Sequence, residues 1–260
     1  MAILYLIIGF VASTIGAISG LGGGVMIKPI LDAFGHFDLS TIGVLSSCSV
    51  FAMSIASLAK KFIAKATFEY SKLLPLSLGS VIGGVLGKYF FQIFLAAFEN
   101  QDTAQMIQSI CLAALMIIIL VMRVLKDKIR TYNVTNPLIC VLAGTFMGTI
   151  SAFLGIGGGP VNVIVITLLF SCNAKDAAIY SIFAIFFSQM STLTSVVLLE
   201  GLEGYDLSMV GYMIVGGISG GFLGDYLSTK MDDVAVEKLF NIVMVVIIGI
   251  NIFNIITVLI

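Results

Sequence analysis

The chain is 260 residues long, 59% hydrophobic and only 10% charged, with a formal net charge of −1 and a mean hydropathy of +1.14. That composition excludes a soluble domain and marks a polytopic membrane protein. The near-neutral balance, without a dense basic patch outside two short loops, argues against a nucleic-acid partner.

Residues 3–18 form a first apolar arm, interrupted by Ser19-Gly20-Leu21-Gly22-Gly23-Gly24, and residues 25–34 form a short second arm. No basic residues precede the first arm, so it reads as mature structure and not as a signal peptide. At 1.5 Å per residue the arms reach roughly 24 and 15 Å, against a hydrocarbon core of about 30 Å. Neither spans comfortably, and end to end they are too long for one span. The segment therefore either turns back at the glycines or kinks sharply. Glycine costs roughly 1 kcal/mol per residue in a helix interior relative to alanine, so three in a row break the helix. A helix restarting after such a break presents amides without intrahelical partners at the positive end of its dipole, which suits an anion.

Residues 41–59 form a full-length segment with a polar stripe at Ser46, Ser47, Ser49, Ser54 and Ser57, ended by a loop holding Lys60, Lys61, Lys65 and Lys72. Residues 73–95 carry Gly79, Gly83, Gly84 and Gly87, a small-residue face that lets a neighbouring helix approach closely. A polar turn at 100–105 precedes the crossing at 107–125. The long polar connection from Arg123 to Pro137 is the seam between halves.

The second half restates the first. Its arms are residues 138–153 and 160–170, on either side of Gly155-Ile156-Gly157-Gly158-Gly159, with Pro160 at the first helical position where a missing N–H does no harm. Residues 177–199 carry Ser181, Ser188, Gln189, Ser191 and Thr192. Residues 207–227 repeat the glycine face with Gly216, Gly220, Gly221 and Gly224, and residues 239–260 close the chain. Two matched blocks about 135 residues apart constitute an internal repeat. Paired breaks in corresponding places point to a binding site at the membrane midplane.

Charge orients the halves, because cytoplasmic loops collect Lys and Arg. If both glycine-broken segments turn back, the basic loops at 60–72, 123–130 and 230–238 and Lys175 all fall inside, leaving only Lys28 and Lys88 unaccounted for. The expected fold is an all-α polytopic membrane protein of two inverted four-segment repeats, residues 1–130 and 131–260, forming one integral membrane domain. Each repeat opens with a re-entrant segment broken at Gly-Gly-Gly.

The expected anion-binding residues are the glycines of both breaks (Gly22, Gly23, Gly24, Gly157, Gly158, Gly159), with Lys28, Ser46, Ser47, Ser49, Asn162 and Ser181 around them. Lys28 lies one turn into the short helix and leans back toward the glycine amides; the competing readings are an ion pair with Asp32 at i,i+4 and snorkelling to the surface. Serine hydroxyls and Asn162 are donors for anion oxygens, although serines in membrane helices more often bond their own backbone or a neighbouring helix. Lys88 and Asp225 occupy matched positions and read as snorkelling or gate residues. His36 reads as a solvated loop residue, and the four cysteines as packing residues. No metal-ligand cluster, cofactor motif or catalytic set is present in the sequence, so an enzyme is not expected.

The stretch from Gly16 through Gly24 with Pro29, repeated from Gly148 through Pro160, resembles the sulfite exporter TauE/SafE family of membrane permeases over essentially the whole chain. The second copy reads as holding Ala152-Phe153-Leu154 where the first has Gly20 alone. The resemblance implies a permease of the cell membrane that carries a small sulfur-containing anion such as sulfite, thiosulfate or the organosulfonate sulfoacetate, where the residues alone indicate only an anion. A secondary transporter working by alternating access is the leading expectation. An anion channel and a non-transporting membrane subunit or anion sensor are its alternatives. The sequence leaves proton or sodium coupling open.

Overall fold

The computed structural model describes residues 1–63, 69–98, 100–125 and 129–259. Among them the chain forms ten α-helices and no strand: α1 (Ala2–Ser19), α2 (Gly24–Phe34), α3 (Leu39–Ile63), α4 (Tyr70–Ala96), α5 (Gln101–Val124), α6 (Pro137–Leu154), α7 (Gly159–Phe170), α8 (Ala174–Ser195), α9 (Val210–Lys230) and α10 (Asp233–Leu259). A π-helical stretch, Val196–Glu200, extends α8. Among the described residues, seven helices are long and apolar enough to cross a membrane: α1, α3, α4, α5, α6, α8 with its extension, and α10. The 21-residue α9 is long enough, but its glycines and Asp225 dilute its apolarity. Outward-facing Leu78, Ile118, Leu138 and Val245 are each more than half exposed, which only a lipid solvent makes stable.

Both glycine-broken segments are antiparallel helical hairpins. In the first, the Tyr5 hydroxyl near the start of α1 is hydrogen-bonded to His36 Nδ1 just past α2, at 3.0 Å. In the second, the Tyr132 and Val134 amides, just before α6, donate to the Leu168 and Leu169 carbonyls at the end of α7, at 2.7 and 2.9 Å. His36 is thus an exposed loop residue with a defined partner.

The glycine-faced helices pack across the halves. Gly79, Gly83 and Gly87 of α4 lie against the Val141, Thr145 and Thr149 carbonyls of α6; Gly216, Gly220 and Gly224 of α9 lie against the Leu6, Phe10 and Thr14 carbonyls of α1. A second row completes the seat: Gly84 faces the Ser188 carbonyl of α8, and Gly221 faces the Met53 carbonyl of α3. Helices α4 and α9 are therefore exchanged, each lodged against the hairpin and the serine-bearing helix of the other half. Helices α3 and α8 cross in the middle, while α5 and α10 pair on the outside.

One end of the bundle gathers Tyr5, His36, Thr41, Lys88, Glu200 and Asp206. The other gathers Lys60, Lys61, Asp225, Lys72, Asn133, Lys175 and Asp233.

Candidate functional site

The two breaks sit back to back at the centre of the molecule. Gly20 (φ 71°) closes α1 and Gly155 (φ 66°) closes α6, both left-handed. Gly155 is therefore the counterpart of Gly20, and the breaks align without an insertion. The Ala152-Phe153-Leu154 stretch belongs to the last turn of α6, and the counterpart of Ser151 is Gly16. Two residues on, Gly22 (φ 62°) and Gly157 (φ 72°) turn the chain through a second left-handed step that only glycine adopts without strain. A Cβ on Gly22 would strike Ile185 of α8, and one on Gly157 would strike Val50 of α3, both at under 3 Å. The breaks also touch each other. A Cβ on Gly24 would stand 2.6 Å from the Ile156 carbonyl oxygen, and one on Gly159 would overlap the Leu21 carbonyl. At Gly158 (φ 93°) the conformation itself demands glycine, whereas Gly23 is right-handed and instead backs onto Ala12 and Ser13 at 3.0 Å.

The amides of Gly24 and Gly159, which open α2 and α7, have no backbone hydrogen bond among the described residues. Polar side-chain atoms without hydrogen-bond partners among the described residues lie next to them. Ser46 Oγ is fully buried, 2.8 Å from where a Gly24 Cβ would be, and makes no hydrogen bond; the buried Ser151 Oγ and Asn162 Oδ1 flank Gly158 in the same condition. Ser181 uses its hydroxyl proton on the Gly20 carbonyl at 2.6 Å, so it secures the end of α1. Ser47 is buried, and Ser49 Oγ lies 3.5 Å from Ser13 Oγ in the seam where α9 meets α1 and α3. The structure thus brings Ser46, Asn162, Ser181 and the glycines of both breaks together. It sets Ser49 about one turn further along α3.

Lys28 is buried with its ammonium 3.0 Å from Asp32 Oδ2, and both side chains are almost inaccessible. Its stem passes Gly155 of the second break, so the charge is held one helical turn beyond the glycines by its own carboxylate. Neither Lys88 nor Asp225 snorkels. Lys88 Nζ of α4 meets Glu200 Oε2 at 3.1 Å, and Asp225 of α9 meets Lys61 at 2.8 Å and Lys60 at 3.4 Å. Each pair fastens an exchanged helix to its host at one end of the bundle. The Tyr205 hydroxyl donates to Glu200; burial first, then that bond to the carboxylate, pushes its phenol well above the usual range.

The profile of the sulfite exporter TauE/SafE family matches residues 5–252, the length over which this paired-break architecture extends. The chain belongs to that family. It is 26% identical to the probable membrane transporter protein YunE of Bacillus subtilis, over 94% of this chain and 95% of the relative. It is 24% identical to a probable membrane transporter protein of Haemophilus influenzae, over 93% and 92%. No solved structure matches the chain. As a TauE/SafE transporter with seven helices able to span, it is a multi-pass integral protein of the cell membrane.

Sequence reasoning passed over Ser151 as a site residue. The signal that finds it is the register of the breaks. Once Gly155 is set against Gly20, Ser151 falls opposite Gly16, whose own Cβ would overlap Gly23. The second half thus has a hydroxyl where the first has only backbone contact.

Proposed function

We propose that this TauE/SafE transporter carries sulfur-containing oxyanions, with sulfite, thiosulfate and sulfoacetate as the candidates, by alternating access around the paired glycine breaks. The observation that carries the reading is the juxtaposition itself. Two helix N-termini whose first amides have no backbone hydrogen bond among the described residues meet at the centre, beside the buried Ser46 and Ser151 hydroxyls, likewise unpartnered, and the Asn162 side-chain amide, whose Nδ2 is the donor. Helix N-termini and fixed hydroxyl or amide donors bind tetrahedral and pyramidal oxyanions without a full counter-charge. Because the breaks are in van der Waals contact, an anion enters only when the hairpins part, and parting them toward one end at a time is alternating access.

On this reading each hairpin moves with the exchanged helix seated on it, α1 and α2 with α9, α6 and α7 with α4. The hairpins re-enter the membrane from opposite faces, which makes the halves inverted repeats. The sulfur in the substrate comes from the family, and the anionic charge from the site.

Counterflow in proteoliposomes tests it. Vesicles preloaded with sulfite, thiosulfate or sulfoacetate should accumulate the labelled anion, and sulfate and taurine set the selectivity. Gly159→Ala, whose Cβ would overlap the Leu21 carbonyl, should abolish uptake. Accumulation of none of these anions, or steady single-channel currents instead of counterflow, would overturn the proposal.

A further inference from the structure

At the lysine-rich end of the bundle, away from the glycine breaks, a cavity of about 240 Å³ opens where α5, α7, α8 and α10 meet. Its polar wall holds Arg123, Thr131, Thr167 and Asn173, and Ile164 and Leu168 stand in its apolar wall. The Arg123 side chain is nine-tenths buried, its guanidinium stacked 4.2 Å from the Phe240 ring. Its Nη2 is 3.9 Å from Glu237 Oε2, beyond hydrogen-bond reach, and its buried Nε has no hydrogen-bond partner among the described residues. A buried guanidinium loses hydration and recovers it only through good hydrogen bonds. Here the carboxylate balances charge but leaves donors of the rigid fork unused.

A second feature joins this one. An apolar groove of about 450 Å³ runs between Leu120 and Val124 of α5 and Asn241 and Val245 of α10. Leu120 and Val124 flank Arg123, and Asn241 and Val245 follow Glu237 by one and two turns. The groove therefore leads along the lipid-facing seam away from the polar cavity. A polar pocket holding an under-bonded arginine, with an apolar trough one turn away on the same two helices, matches a phosphodiester headgroup with an acyl chain attached.

We propose that the cavity binds the phosphate of an anionic phospholipid, whose acyl chain lies in the α5–α10 groove. Arg123 engages the phosphate oxygens through its terminal Nη groups. Thr131 and Thr167 stand in the same wall, within the pocket that the headgroup fills. Glu237, a third exposed, stays 3.9 Å from the guanidinium, too far to take up its donors. The basic end gives the charge complementarity, since clusters of Lys and Arg beside membrane helices attract anionic lipid. The inference does not depend on which anion the protein carries.

Native mass spectrometry of the purified full chain tests it, with phosphatidylglycerol, phosphatidylcholine and inorganic phosphate as probes. Wild type should hold a phosphatidylglycerol adduct that phosphatidylcholine does not form at equal concentration and inorganic phosphate does not displace. Arg123→Gln should reduce that adduct about tenfold, the scale of one lost charge-assisted contact, and Arg123→Lys should retain part. Lys230→Gln, at the same end but stacked on Tyr226 outside the cavity, should bind as wild type does. Where Arg123→Gln does not fold, Arg123→Gln/Glu237→Gln leaves the cavity neutral and serves in its place. Equal adducts with both lipids, an unchanged Arg123→Gln, or displacement by inorganic phosphate would each overturn the proposal.

Discussion

Lys28 and Asp32 form the most consequential pair of side chains in the first half. An i,i+4 ion pair on a wet helix face contributes a few tenths of a kcal/mol, but this one is sealed, with side-chain exposures of 3% and 4%. Removing one partner from such a pair costs about 3–5 kcal/mol, because the other charge is stranded. Lys28→Ala alone should therefore depress folded yield and transport together and say little about binding. Lys28→Met with Asp32→Leu removes both charges at similar volume and should fold at near wild-type yield. If the ammonium swings from Asp32 to the anion when the breaks part, that double variant folds but fails in counterflow. Wild-type transport by it would reduce the pair to a structural role. The sequence carries both readings of Lys28 at once, since the side chain that leans toward the glycines is also one turn from a carboxylate. Only the packing around it shows which partner holds it in the closed arrangement.

At the scale of the helix, the glycine stripes do most to hold the fold together, and they yield a contrast within a single element. Gly220 of α9 faces the Phe10 carbonyl so closely that a Cβ would overlap it, while Gly211, two and a half turns earlier, has nothing within 4 Å. Gly211→Ala should leave the melting temperature in detergent unchanged or raise it, since alanine is favoured over glycine in a helix by about 1 kcal/mol. Gly220→Ala should lower it by prising α9 from α1; equal melting of the two variants would refute the close-packing account. The apolar pattern is enough to place every helix, because lipid-facing and core residues are both apolar and the run is long. Its ends are less legible. Helices α5 and α10 begin about six residues before the apolar runs that predict them, because Asn100 and Asp232 accept hydrogen bonds from the Asp102 and Ala235 amides and start the helix in polar sequence. Helix α3 runs on through Lys60 and Lys61, whose ammonium groups reach Asp225. The exchange of α4 and α9 is not legible at all. The glycine spacing says that a helix approaches closely, but both halves present an equally suitable carbonyl row.

For the molecule as a whole, the contacts sort the loops into two ends, and the membrane gives those ends different compartments. The Asp206 amide lies 3.4 Å from Thr41 Oγ1, so the loops after α2 and after α8 share one end. The Lys175 amide lies 3.3 Å from Asp233 Oδ1, so the loops after α7 and after α9 share the other, where Lys60, Lys61 and Lys72 also sit. Lysine and arginine accumulate on the cytoplasmic side, which predicts the second end inside and the first outside. Single cysteines in a cysteine-free background, read with an impermeant maleimide on intact cells, test this directly. Phe37→Cys and Gly204→Cys should label from outside, and Asp232→Cys only after the membrane is opened. A chain whose glycine-broken segments each crossed once would agree at Phe37 but would put Gly204 inside and Asp232 outside. Exterior labelling of Asp232→Cys would therefore show that α6 and α7 together traverse the bilayer. The second hairpin would then not re-enter, and the inverted relation of the two halves would fail with it.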